Sequence, residues 1–384
     1  MITGTAAGSL LLLVWMASAS AGEASPLTPA RHAHGDLATP ARQALLEVAE
    51  RALAAGEVEL ASSTLETAAG LAHAADTELL QIRTMMQAGG YRQAANYAAH
   101  TAGIHLDEML APALYAWLLE LGGQGQHARR MLTEAMARAP ANAVATEVHA
   151  LLDDPTRPLP AMLFKAPHRF APYAAQVAGP PPPPQDVALA ANGTLWDNGR
   201  RALVPIGVVA GAGRIWVRNG LGQTTSATRA RDLPTVGLSV LTLAAPLSPG
   251  PVTWAARDAF AGSPGFVVAY PAVASGAPPL WPRLVPGFLG SASATSESRR
   301  LGIALPAGPR GGPVFDKFGQ VVGISLAMID GDSCLTVSQI RRALGEAEAA
   351  LEPLSPTPRV TALDEGYEHA LYAALQVIVT PSAR

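Results

Sequence analysis

The chain has 384 residues, enough for two or three domains and for a sizeable buried core. Charged residues make up 15 % and the net charge is −3, which speaks against a nucleic-acid-binding protein, while a hydrophobic fraction of 49 % speaks against general disorder. The single cysteine, Cys334, excludes an intrachain disulfide and a thiolate zinc site.

Residues 10–16 are an unbroken apolar run followed by small residues. Ala17-Ser18-Ala19 and Ala19-Ser20-Ala21 both satisfy the small-x-small cleavage pattern, and the run is too short to span a bilayer comfortably. Residues 1–21 therefore read as a signal peptide, although no Lys or Arg precedes the run; the alternative is an uncleaved anchor. The expected destination is the periplasm or the cell exterior, with no integral membrane span after cleavage. Residues 22–40 read as a flexible leader. His32 and His34 lie in it without further ligand partners, so no metal and no cofactor is expected.

Residues 41–154 are rich in Ala and Leu at helical spacing. Gly56, Gly89 and Gly123 mark an internal repeat, and each opens the same pattern. Val58, Ala61, Leu65 and Ala68 follow the first; Tyr91, Ala94, Ala98 and Thr101 the second; Gly125, Ala128, Leu132, Ala135 and Pro140 the third. This pattern resembles the tetratricopeptide repeat, and a plain antiparallel bundle is the alternative. The resemblance implies helix pairs stacked into a curved surface that binds peptides or proteins. With 14 acidic and 7 basic side chains, residues 40–154 carry a net −7.

Residues 155–185 read as a linker, with a run of five prolines at 180–184. Such a run adopts an extended polyproline II rod. A stiff spacer accounts for it, and a ligand for a proline-binding domain is the other reading.

From 186 to 350 short runs of Val, Ile, Leu and aromatics alternate with Gly, Pro and Asn, which reads as an all-β sandwich or barrel. This segment has 14 basic and 10 acidic side chains, a net +4, opposite in sign to the helical segment. Residues 351–384 read as a tail, with a helix expected over residues 363–379.

One motif stands out in the β segment. Gly308-Pro309-Arg310-Gly311-Gly312-Pro313-Val314 resembles the nucleophile loop of trypsin-like (HtrA-like) serine proteases. The flanking pattern agrees. Val314-Phe315 and residues 321–326 fit the hairpin after that loop, while residues 203–209 and 237–243 resemble the strands that carry the family's histidine and aspartate. The resemblance implies a trypsin-like double β-barrel. It also exposes three departures: the nucleophile position holds Arg310, the histidine position Gly207 and the aspartate position Gly237. Arginine stays protonated and cannot attack, and glycine cannot accept a proton. None of the nine histidines lies between 186 and 350. Gly331-Asp332-Ser333-Cys334 is similar to the trypsin Gly-Asp-Ser-Gly core, but it lacks the following Gly-Pro and comes after the strand that should succeed the nucleophile. Cys334 reads as a small buried hydrophobe.

The resemblance implies one surviving feature, the oxyanion loop, with the N–H groups of Gly308 and Arg310 (beside Gly311) as an anion-binding nest. Arg310 faces the cleft and captures an acidic side chain or a C-terminal carboxylate, or it points outward, or it pairs with Asp316. The expected fold is thus an all-α tetratricopeptide-like helical array followed by an all-β trypsin-like double β-barrel. The expected function is that of an exported pseudoprotease, a binding or scaffold protein for protein or peptide partners and not for nucleic acid. The alternative is a trypsin-like endopeptidase with a nonstandard or partner-completed active site.

Overall fold

The computed structural model describes residues 39–154, 157, 189–272, 281–292, 298–328, 331–345 and 359–381. The expected signal peptide and the leader up to residue 38, with His32 and His34, lie outside the described residues. So does nearly all of the expected proline-rich linker. Thr39 and Pro40, expected in the leader, instead cap and open the first helix.

Seven helices come first: α1 (Pro40–Ala55), α2 (Val58–Leu71), α3 (Ala75–Gln87), α4 (Tyr91–Ile104), α5 (Leu110–Leu121), α6 (Gly125–Arg138) and α7 (Ala143–Asp153). The chain enters α1 through Thr39, whose Oγ1 accepts from the Arg42 N–H, with Pro40 preset for the first turn. Gly56, Gly89 and Gly123 follow α1, α3 and α5 with φ of 84°, 85° and 80°, so each repeat glycine supplies a left-handed residue between paired helices. Small residues let the helices approach: Ala128, Leu132 and Ala135 form the buried stripe of α6. Helix α5 is apolar nearly all round, because α4, α6, α7 and the β region cover it together.

Two antiparallel β-barrels follow. The first joins β1 (Leu189–Trp196), β2 (Arg201–Pro205), β3 (Ala212–Asn219), β4 (Thr224–Leu233) and β5 (Leu238–Leu243), with the one-turn helix α8 (Ile206–Val209) between β2 and β3. The second uses β7 (Pro264–Ala269), β8 (Arg283–Ala292), β9 (Arg299–Gly302), β10 (Pro313–Asp316), β11 (Gln320–Met328) and β12 (Gly331–Thr336). The β10–β11 pairing closes this ring, and the short β6 (Thr253–Trp254) adds to β11 in parallel. Helix α9 (Val337–Leu344) then starts on a capping box made by Thr336 and Gln339. The barrel cores alternate along their strands; Val204, Val217, Leu241 and Val377 fill the first, and Val267, Leu289, Val314 and Val322 the second.

The expected tail needs correction. Residues 363–379 are not one helix: α10 (Leu363–Ala373) passes directly into the strand β13 (Ala374–Pro381). That strand lies between β1 and β3 and closes the first barrel in the order β1-β13-β3-β4-β5-β2. Val377, Ile378, Val379 and Thr380 are all β-branched, a run that favours a pleated strand over a helix. The barrel region therefore extends well beyond residue 350.

The helices and barrels share one continuous apolar core. Tyr91 of α4 is fully buried, donates to the Leu118 carbonyl at 2.8 Å, and meets the Tyr367 ring of α10 edge-on at 4.5 Å. Tyr367 in turn donates to the Pro282 carbonyl beside β8 at 2.8 Å. Trp117 of α5 packs edge-on against Trp281. Next to these aromatics Arg283 of β8 pairs with Glu120 of α5 at 3.2 Å. Burial lowers the pKa of Arg283 and the Glu120 carboxylate opposes that shift. Among the described residues no helix is long and apolar enough to cross a membrane.

Removing Glu120 would leave the Arg283 cation buried without its anion. Glu120→Ala should cost about 3 kcal/mol of stability, and the double variant Glu120→Ala/Arg283→Met should recover most of it. Urea denaturation reads both; equal midpoints for the parent and the single variant would refute the assignment.

Candidate functional site

A cleft of about 770 Å³ opens between the barrels. The first barrel contributes Ala191 of β1, the turn from Pro205 to Val208, and residues 235–237 before β5. The second contributes Ser298, Pro309, Arg310, Leu326 to Met328 of β11, Leu335, and Gln339 of α9. The structure thus brings Gly207, Gly237 and Arg310 to the rim of a single cavity.

Each of the three is placed by its local backbone. Gly207 sits in α8, the single turn that follows Pro205. Gly237 is left-handed with φ of 68°, and its carbonyl accepts from the Ile206 N–H at 2.9 Å, which ties the two short segments together. Arg310 lies in the loop before β10. Gly311 in that loop has φ of 115°, and a Cβ there would fall 2.1 Å from the Asn192 carbonyl oxygen. Glycine is needed at this point for the loop to pass the wall of the first barrel.

The loop is fastened from across the cleft. Asn192 of β1 is fully buried and its side chain makes three hydrogen bonds. Its Nδ2 donates to the carbonyls of Tyr270 at 3.0 Å and Pro309 at 2.7 Å, and its Oδ1 accepts from the Tyr270 N–H at 2.7 Å. The Asn192 backbone N–H donates to the Arg310 carbonyl, and Thr194 Oγ1 donates to the Gly311 carbonyl. From the second barrel, Ser325 accepts from the Gly311 N–H and donates to the Gly312 carbonyl. The Gly311 N–H is therefore consumed within the protein. The loop is rigid because both barrels hold it.

The sequence left three placements open for the Arg310 side chain, and the structure shows a fourth. Its partner is Asp332 at the start of β12, not Asp316. Nε donates to Oδ1 at 2.6 Å and Nη2 to Oδ2 at 2.9 Å, a bidentate pair. Nη1 donates to the carbonyls of Pro306 and Gly308, both at 2.9 Å. All three guanidinium nitrogens are engaged internally. Asp316 instead accepts from the N–H groups of Phe318 and Gln320 and shapes the β10–β11 turn; burial raises its pKa.

Asp332 and Asn192 are the residues that sequence reasoning missed. Asp332 was legible only as part of the Gly-Asp-Ser decoy, whose other members lie inside β12. Ser333 Oγ reaches the Leu326 carbonyl. Cys334 is buried and its thiol is pushed up to about 12, chiefly by burial. A thiol so protonated is a poor nucleophile.

Chemically the cavity is apolar with a few polar points. Its described lining contains no His, Cys, Asp or Glu, and its hydroxyls are those of Thr235 and Ser298. No family model and no curated protein matches the sequence. Among solved structures the chain is similar to Deg5 (17 % identity, 41 % of this chain, 88 % of that one, TM-score 0.33). It is also similar to the active form of the Rv3671c protease from M. tuberculosis (20 %, 47 %, 85 %, 0.31) and to the serine endoprotease from Yersinia pestis (16 %, 44 %, 68 %, 0.35). Likenesses this faint assign no activity, substrate or residue role.

Substituting Asn192 by Ala adds no bulk and strands the Tyr270 N–H and the carbonyls of Tyr270 and Pro309. The expected loss is about 3 kcal/mol in urea denaturation, with faster amide exchange over residues 308–312. An unchanged midpoint would show that the clamp contributes nothing.

Proposed function

We propose that the protein is an exported, non-catalytic binding protein of the pseudoprotease kind. Its tetratricopeptide-like array and its inter-barrel cleft then serve protein partners. The observation that carries this reading is the composition of the cleft. Peptide hydrolysis needs an activated nucleophile, a base and an orienting acid converging on one bond. The described lining supplies two hydroxyls and no imidazole or carboxylate to activate them.

The chemistry of the cavity also suggests its occupant. Capture of an acidic side chain or a C-terminal carboxylate would need a free cation, whereas Arg310 is committed to Asp332 and to two carbonyls. Val208, Val236, Leu326, Met328 and Leu335 instead offer apolar surface. An extended peptide with apolar side chains fits such a wall better than an acidic one. Export rests on the apolar run and cleavage pattern of residues 10–21.

Two experiments test the reading. A serine-directed fluorophosphonate should leave the purified protein unlabelled; stoichiometric labelling of Ser298 or Ser333 would overturn it in favour of a peptidase. In a peptide library screen, apolar extended peptides should bind, and Val208→Asp should weaken them about tenfold, equivalent to about 1.4 kcal/mol. Equal binding by the variant would remove the cleft from the function.

A further inference from the structure

Far from the cleft, the helical array gathers three histidines around one buried carboxylate. His73 lies in the turn between α2 and α3, Glu78 in the first turn of α3, His100 in the last turn of α4 and His105 just after it. All three Nε2 atoms face Glu78. The His73 nitrogen lies 2.5 Å from Oε1, that of His100 3.9 Å from Oε1, and that of His105 3.4 Å from Oε2. The candidate ligand atoms of His73, Glu78 and His100 all lie within 4.8 Å of one another.

The burial pattern is that of a site and not of a surface ion pair. The Glu78 side chain is only 3 % exposed, and its oxygens are buried against the Tyr97 hydroxyl and three imidazole nitrogens, none of the nitrogens aligned to donate; His105 Nε2 likewise lacks an aligned partner. An ionised carboxylate in that position needs a cation. One protonated histidine would be enough for an ion pair, yet three imidazoles converge. His73 comes within 2.5 Å of the carboxylate and still misses hydrogen-bond alignment. His73 and His100 are about half exposed, which leaves an entry path.

We propose that His73, Glu78 and His100 bind a zinc ion in a tetrahedral site, the protein supplying two nitrogens and one oxygen and water the fourth position. With zinc–ligand bonds of about 2.0–2.2 Å, donor atoms in a tetrahedron sit about 3.3–3.5 Å apart, and the three candidate donor atoms all lie within 4.8 Å of one another. Two imidazoles favour zinc over magnesium or calcium, which take oxygen ligands. A supporting shell is in place. The Tyr97 ring stacks on His100 at 5.8 Å and 6°, and the Tyr97 hydroxyl donates to Gln81 Oε1 at 2.9 Å, which fixes the imidazole plane. The ion would tie the α2–α3 turn to the C-terminal part of α4, while His105 faces the other Glu78 oxygen at 3.4 Å.

The test uses the full chain without a histidine tag, stripped with chelator and titrated calorimetrically with Zn²⁺. One equivalent should bind and raise the melting temperature, while Mg²⁺ and Ca²⁺ give no heat. His73→Ala and His100→Ala should each weaken Zn²⁺ by more than the roughly tenfold that loss of a supporting partner costs, and should abolish the thermal shift. Both residues are well exposed, and circular dichroism of the stripped variants checks that they fold. Co²⁺ should give the intense visible bands of a tetrahedral complex. Absence of saturable Zn²⁺ binding would overturn the proposal, and so would binding that survives His100→Ala but is lost on replacing His32 and His34.

Discussion

The relation between the two barrels rests on one buried side chain. A primary amide carries two donors and an acceptor with two lone pairs, and away from water each unmet group costs free energy. Asn192 directs both donors and its acceptor across the barrel interface, to Tyr270 and to Pro309. The Arg310 loop thereby becomes part of the wall of the first barrel. Its glycines follow from that constraint: the backbone of β1 comes so close to Gly311 that no side chain fits. Gly-x-x-Gly-Gly-Pro spacing can thus be maintained by packing alone, whatever chemistry the cleft performs.

The same logic separates what was legible in the sequence from what was not. Helical spacing in residues 41–154 and short β-rich runs after 186 identify the two kinds of secondary structure, because period and punctuation are local signals. The repeat glycines were legible for the same reason, each being required by a left-handed backbone. Partners distant in sequence were not. Nothing local connects Arg310 with Asp332, so Asp316, nearer in sequence, stood in for it. The terminal strand was hidden by ambiguity of period: Leu371, Ala374, Leu375 and Ile378 fit a helical face, while β-branching from 377 onward decided for a strand. A polar residue such as Asn192 in an otherwise ordinary strand gives no sign of its role until the neighbouring barrel is present.

The helical and β segments carry opposite net charges, yet their interface is built from Tyr91, Tyr367, Trp117 and Trp281, with the Glu120–Arg283 pair buried beside them. Glu120–Arg283 follows the predicted signs, while Arg92–Asp364 reverses them. Exposed pairs like the latter are worth under about 1 kcal/mol, so net charge could not have specified the contact. Apolar and aromatic burial makes the array and barrels one cooperative unit, and a perturbation in either is felt through the shared core.

The closing strand has a consequence for synthesis. β13 fills the gap between β1 and β3, with Leu189 paired to Ile378. Until the end of that strand leaves the ribosome, β1 and β3 present unsatisfied edges, and edges of this kind recruit other strands. Closing a loop of about 190 residues adds little entropy beyond that of a shorter one, but it must wait for β13 to emerge. A nascent or prematurely ended chain therefore displays an open sheet that the finished protein conceals. Emergence of β13 is in this way written into the fold as a condition for burying the edges of β1 and β3.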